Sequence, residues 1–202
     1  MAPVAIGCVW FGGVAWYGLL AAAAVAAGLE WRRLCGGRLR PLSAGFAFLG
    51  LVMAALAWLR ADPLDGASIV AFLLVVVWSS DVGAYGFGRL VGGPRLAPSL
   101  SPGKTWSGAA GGLACAVFGG LLAAPIGSET LQVGVIAATL GIAAQMGDLA
   151  ESALKRRFGV KDSGSLIPGH GGVLDRLDGL MAAAPVAVLW VLWLGRGDAM
   201  WR

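Results

Sequence analysis

The sequence predicts an all-α, polytopic integral membrane protein with about six transmembrane helices. Three observations carry that prediction. The chain has 202 residues, of which 58% are hydrophobic and 13% charged, against about 45–50% and about 25% in ordinary soluble domains. Six apolar segments reach the length a bilayer demands, roughly 17–25 residues. Lys and Arg collect on alternate connections between those segments.

The first segment covers about 4–28 and opens "MAPVAIGCVWFGG", with no Lys or Arg. A cleaved secretory signal needs a basic start, so this stretch reads as a retained span. The second covers 42–59. The third, 66–88, contains "AFLLVVVW" at 71–78. Alone that run could be a strand, but lipid cannot satisfy an open sheet edge, so helix is expected. The fourth, 106–127, carries "GAAGG" at 108–112 and "GG" at 119–120. Small residues let helix backbones approach closely in lipid. This helix needs close neighbours, and its glycine face is a candidate homodimer surface. The fifth and sixth segments cover 130–153 and 173–194. Cys8, Cys35 and Cys115 are scattered and form no CxxC pair, which argues against a disulfide framework or a cysteine zinc site.

Charge gives the orientation. The connection 29–41 holds Arg32, Arg33, Arg38 and Arg40; 89–105 holds Arg89, Arg95 and Lys104; 154–172 holds Lys155, Arg156, Arg157 and Lys161. These are eleven of the 15 basic residues, and the intervening loops hold only Arg60. The positive-inside rule places the three basic connections in the cytoplasm. The expectation is a multi-pass protein of a cell membrane, the bacterial inner membrane, with both termini on the opposite side. Residues 1–65 read as N-terminal transmembrane helices. Residues 66–202 read as a catalytic transmembrane domain with cytoplasmic loops 89–105 and 155–172. The net charge of +4 is split among short loops and does not form the single basic domain that nucleic acid requires.

The acids are the functional signal. Asp81 lies within the third segment, Asp148 and Glu151 close the fifth, and Asp175 and Asp178 open the sixth. Ionisable groups in spans are costly unless paired or facing a wet cavity, and each is a functional-site hypothesis. Asp148, Glu151 and Ser152 share one helix face by their i,i+3 and i,i+4 spacing, and Asp175 and Asp178 share another. Gathered carboxylates suit a hard cation such as Mg²⁺, which takes one or two of them plus substrate phosphates. The bland alternative is a set of structural ion pairs with Arg156, Arg157 and Arg176.

Between the last two helices runs "KDSGSLIPGHGG". Glycine-rich loops present backbone N–H groups that can cradle phosphate, and His170, flanked by glycines, is placed to reach a ligand. A tight interhelical turn is the competing reading. In "APSLSPGKTWSG" at 97–108, Ser101, Lys104 and Thr105 could bind phosphate. A Walker P-loop is excluded, because Pro98 stands where its first glycine should be and no preceding strand is expected.

These residues resemble a known family. "SALKRRFGVKDSGSLIPGHGGVLDRLD" at 152–178 is similar to the signature of the phosphatidate cytidylyltransferases, or CDP-diacylglycerol synthases. Its elements are present as Ser152, Lys155, Arg156, Lys161, Asp162, Pro168, His170, Gly171, Gly172, Asp175, Arg176 and Asp178. "WSSDVGAYGFGRLVG", "SPGKTWSGAAGG" and "QMGDLAES" resemble the family as well. Members are usually longer, with additional N-terminal spans, so the chain reads as a short form.

The resemblance implies an Mg²⁺-dependent membrane enzyme that joins CTP to phosphatidic acid, giving CDP-diacylglycerol and pyrophosphate, with room for a second, monovalent cation. It implies metal binding by Asp148 and Asp175. Glu151, Asp81 and Asp178 join them on the physical grounds above. The lipid phosphate has a second pKa of about 6 and is largely dianionic at neutral pH, so it needs no general base. What opposes the reaction is repulsion between anions, which positioning and positive charge overcome. Lys104, Lys155, Arg156, Arg157 and Lys161 are placed to meet phosphates. Three rivals are weaker. A CTP-dependent lipid kinase does not call for the full 152–178 signature. A CDP-alcohol phosphotransferase needs an Arg and later acids that "DGLMAAAP" lacks. A transporter would place its acids near the midplane.

Overall fold

The structure, a computed structural model, describes residues 2–164, 171–195 and 201. The element order is α1 (Ala2–Phe11), α2 (Gly13–Cys35), α3 (Leu39–Arg60), α4 (Gly66–Leu90), β1 (Arg95–Ala97), β2 (Ser101–Thr105), α5 (Trp106–Ala123), α6 (Thr130–Arg157) and α7 (Leu174–Leu194). Among the described residues, the six helices α2 to α7 are long and apolar enough to cross a membrane. The chain is thus an all-α, multi-pass protein, as its hydropathy requires.

The helix ends depart from the hydropathy boundaries for identifiable reasons. The segment expected at 4–28 is broken at "FGG". Gly12 and Gly13 both take positive φ, 62° and 49°, where a side chain would be strained, and α1 ends there. Arg60, at the end of α3, donates from Nε to the Val9 carbonyl at 2.7 Å and holds α1 in place. Arg32 and Arg33 lie in the last turn of α2, and Lys155, Arg156 and Arg157 in the last turn of α6. They belong to helices, not loops, because cations are favoured at helix C-termini. Gly36, with φ 53°, closes α2 in a left-handed cap.

The connection 89–105 holds an antiparallel hairpin that no strand signal foretold. Arg95 pairs with Thr105 and Ala97 with Ser101. "SPGKT" is strand β2 itself. A strand is therefore present in this connection, contrary to expectation, and Pro98 in place of the first glycine is what excludes a Walker loop.

At the centre stands α4, with Val70, Leu73 and Val76 fully buried. Its closest partner is α5. A Cβ on Gly83 would lie 2.6 Å from Cys115 Cβ and Sγ, and one on Gly112 would lie 2.8 Å from the Ser80 carbonyl. On α5, Gly108, Gly111, Gly112, Gly119 and Gly120 are all buried. One on Gly120 would lie 2.6 Å from Ala137 of α6. The glycine face expected as a homodimer surface is therefore used up inside the chain, against α4 and α6. Apolar side chains such as Phe118, Leu122, Leu192 and Trp193 point outwards, as a lipid-facing surface allows.

Gly83→Leu should separate α4 from α5, since overpacking costs about 1–3 kcal/mol or more. Gly86→Leu, on the same helix with nothing within 4 Å of its Cβ position, should be tolerated. Thermal unfolding in detergent checks both: a clear loss for the first, little change for the second.

Candidate active site

The predicted acids gather where the C-terminal parts of α2, α4 and α6 meet the N-terminal turns of α3, α5 and α7. In the last turn of α6, Lys155 extends to two carboxylates. Its Nζ lies 3.0 Å from Glu151 Oε2, one turn back on the same helix, and 2.7 Å from Asp175 Oδ1 in the first turn of α7. The three side chains are only 10–14% exposed. An ammonium shared between helices at such depth fixes their relative register.

Asp175 also organises the loop before α7. Its Oδ2 accepts the Gly172 N–H at 2.8 Å, and both oxygens accept the Ser163 N–H, at 3.2 and 3.1 Å. Gly171 takes φ 80°, and a Cβ there would lie 2.9 Å from Asp175 Oδ2. The loop backbone thus wraps a carboxylate of its own chain. Gly172, expected to present its N–H to a phosphate, donates it to Asp175.

A second cluster is delivered by the hairpin. Lys104 on β2 places Nζ 2.5 Å from Asp148 Oδ2 on α6. Asp81 on α4 lines the same narrow cleft, with Thr105, Gln145 and Asp148. Asp81, Asp148 and Asp178 interact electrostatically with one another and with Lys104. The Thr105 hydroxyl, expected to meet phosphate, caps α5 by accepting the Gly108 N–H at 3.1 Å. Arg156 is exposed; its Nε ties α6 to the hairpin by donating to Leu100 O at 3.2 Å, and an η nitrogen donates to Val160 O, just past the end of α6, at 3.2 Å. Beneath the cleft, Gln145 Nε2 donates to Ser80 Oγ at 3.2 Å and Ala109 O at 3.1 Å, joining α4, α5 and α6 through one amide.

Beside the Lys155 cluster lies a cavity of about 640 Å³. Its walls are mainly apolar, with Trp31, Phe48, Leu49, Leu154 and Met181 prominent. Glu151, Lys155 and Asp178 supply its polar end, and Arg38 and Arg157 also line it. Trp31 spans α2 and α3 by donating to Pro41 O at 3.0 Å. Arg38 lies over the Phe158 ring, 5.8 Å from its centroid.

Of the other predicted residues, Ser152 is buried on α6, Ser101 is half-buried on β2, and Lys161, Asp162 and Arg176 are exposed. Pro168 and His170 lie outside the described residues. Sequence reasoning missed Glu30 of α2, which is fully buried. It accepts the Val173 and Leu174 N–H groups at 2.9 and 3.0 Å. Its position just past the expected end of the first span at 28 placed it in a connection, whereas α2 runs on to Cys35 and makes it an acid within a span, which is a functional flag.

A hard cation is compatible with these donors. Glu151 Oε1 is buried with no hydrogen-bond partner among the described residues, and an oxygen so placed is a ready ligand. Among the described residues no group of three or more His, Cys, Asp or Glu converges on a metal position. Mg²⁺ takes one or two carboxylates with substrate phosphates, so Asp148, Glu151 and Asp175 need not converge on their own.

The chain matches the model of the cytidylyltransferase family over residues 37–194. It is 50% identical over 174 residues to the phosphatidate cytidylyltransferase of Brucella suis, covering 85% of this chain and 63% of the relative. The Pseudomonas aeruginosa protein of that name is 42% identical over 161 residues, covering 77% and 59%. The Haemophilus influenzae protein is 46% identical over 132 residues, covering 61% and 46%. The chain spans less than two thirds of the length of these curated relatives.

Removing one member of a buried ion pair strands the others. Lys155→Met should destabilise the protein by on the order of 3 kcal/mol, read as a lower melting temperature in detergent. Arg157→Met, on an exposed side chain, should leave melting unchanged.

Proposed function

The chain belongs to the cytidylyltransferase family, and on that premise we propose that it transfers the cytidylyl group of CTP to phosphatidic acid. The products would be CDP-diacylglycerol, an intermediate of phospholipid biosynthesis, and pyrophosphate. The relatives' shared name, phosphatidate cytidylyltransferase, supplies the substrates by analogy. The observation in this chain that carries the reading is one of adjacency. A lipid-sized apolar cavity ends on Lys155, Glu151 and Asp178, and Asp178 in turn interacts electrostatically with Asp148 and Lys104 of the hairpin cleft.

That adjacency suits two unlike substrates. The acyl chains would lie along Trp31, Phe48, Leu154 and Met181, and the lipid phosphate would reach Lys155, with Arg38 and Arg157 flanking it. The triphosphate would approach from the hairpin side, where Lys104, Ser101 and Arg156 stand. An oxygen of the lipid phosphate attacks the α-phosphorus of CTP, a new P–O bond forms, and the bond to pyrophosphate breaks. The attacking group is already ionised near neutral pH, so no side chain has to remove a proton. The task of the protein is to hold two anions in line and to offset their repulsion. The lysines do this as point charges.

Mg²⁺ would be held by Asp148 and by the Glu151 oxygen that has no partner among the described residues, with Asp175 joining them on giving up one of its N–H contacts, and would supply further positive charge to the triphosphate when bound. The basic residues at this end of the bundle support a site that faces the cytoplasm of a bacterial inner membrane.

Purified protein in detergent should release pyrophosphate only when CTP, phosphatidic acid and Mg²⁺ are all present. Asp148→Asn and Asp175→Asn should each lower kcat at least 100-fold. Release of CDP instead of pyrophosphate, or turnover without lipid, would sink this reading. Ala150 lines the cavity and is exposed to it. Ala150→Trp should raise KM for phosphatidic acid at least tenfold and leave KM for CTP unchanged. An equal rise in both would place the lipid elsewhere.

A further inference from the structure

Glu30 of α2 has no exposed surface. A buried carboxylate is costly unless its oxygens are bonded. Both are: Oε1 accepts the Val173 N–H at 2.9 Å, and Oε2 accepts the Leu174 N–H at 3.0 Å and the Ser163 hydroxyl at 3.4 Å. The charge therefore rests against the first turn of α7, where the helix dipole favours an anion.

The loop is shaped around this side chain. A Cβ on Gly164 would lie 2.6 Å from Glu30 Oε1, and one on Gly172 would lie 2.6 Å from Oε2. A helix usually supplies its own N-terminal acceptor from the capping residue. The capping residue of α7 is Val173, which has none, and no side-chain cap bond is made there. The acceptor comes instead from Glu30, 143 residues earlier in sequence. The start of α7 is thus referred to α2, not to its own loop. The next residue after Leu174 is Asp175, whose carboxylate holds Lys155 at 2.7 Å. Ser163 touches both acids, giving its N–H to Asp175 and its hydroxyl to Glu30.

We propose that Glu30 is a positioning residue: its buried carboxylate clamps the first turn of α7 onto α2 and so sets where Asp175 meets Lys155. The proposal rests on the cytidylyl-transfer reading for the reaction it serves. Glu30 lies upstream of the matched family region, which begins at residue 37. Reactive geometry tolerates little displacement, and groups one shell removed are what hold it.

Glu30→Gln discriminates acceptor chemistry from volume. The amide keeps the shape but turns one acceptor into a donor, which then faces a backbone N–H. In the full chain in detergent, Glu30→Gln should lower kcat for pyrophosphate release at least tenfold per folded molecule, with KM for CTP within threefold of wild type. Amide hydrogen exchange at 172–174 should accelerate at least tenfold while α4 is unchanged. A folded Glu30→Gln protein with wild-type kcat overturns the proposal. So does faster exchange spread across the whole bundle, which marks general destabilisation. Should Glu30→Gln fail to fold, Glu30→Asp decides: its reach is shorter by about 1.5 Å, one C–C bond, and it should lower kcat at least threefold, an unchanged value overturning the proposal. If the wild-type chain itself releases no pyrophosphate, the activity reading fails, and the exchange measurement still decides whether Glu30 fixes the start of α7.

Discussion

Within an apolar bundle a charge must find a partner, and Lys155 is where that requirement organises the molecule. One ammonium bonds back to Glu151 on its own helix and across to Asp175 on α7. The first bond holds the lysine along α6; the second ties α6 to α7 at their connected ends. With Asp175 so placed, its remaining lone pairs receive the Ser163 and Gly172 N–H groups, which turns the loop back onto the helix start. Glu30 completes the arrangement from the α2 side. Ion pairs of this depth seldom stabilise more than apolar residues of equal volume would. Their presence in a chain with only 13% charged residues is better explained by placement than by stability.

The rest of the bundle gives that end something rigid to stand on. Glycines let α4 and α5 meet at backbone distance, so the floor below the cleft has little room to shift. Gln145 adds a polar lock, one amide shared between Ser80 and Ala109, where unpaired polar atoms would be costly. The hairpin is then held on this floor: Thr105 caps α5, Ser107 bonds to the Gly92 carbonyl, and Arg156 reaches Leu100. Lys104 arrives at Asp148 because both strands are fixed at their ends. A side chain on a rigid element is placed more reliably than one on a loop.

The sequence made the six spans legible, because hydropathy is a sum over many residues and tolerates local error. Their ends were less legible. A boundary drawn before the basic residues ends the first segment before Arg32 and the fifth before Lys155, although long basic side chains extend a helix past the apolar zone. Asp148, Glu151, Asp175 and Asp178 are legible as ionisable groups at the ends of apolar spans, sharpened by their i,i+3 spacing. The pairing of Glu151 with Lys155 is legible too, as an i,i+4 pair of opposite charge, but the second bond of Lys155, to Asp175 twenty residues on, is not. The link from Glu30 to α7 could not be read locally, because its partners lie 133 to 144 residues away and are backbone groups without a residue signature. The hairpin escaped for another reason: "RLAPSLSPGKT" carries two prolines and no alternating apolar face.

The use of the loop's N–H groups bears on how phosphates can be held. Gly172, Val173, Leu174 and Ser163 all give their N–H groups to Asp175 or Glu30. The N-terminus of α7, the kind of place where an anion is often bound, is therefore filled by carboxylates of the chain itself. In the proposed reaction the burden of phosphate recognition passes to side chains. An ammonium has three donors, and Lys155 commits two of them, to Glu151 and Asp175. The third has no partner among the described residues and can meet a phosphate oxygen without releasing either acid, and Lys155 lines the apolar cavity. A lysine so held can act on a lipid headgroup while keeping α6 and α7 in register, which an arginine committed to a bidentate fork could not do as readily.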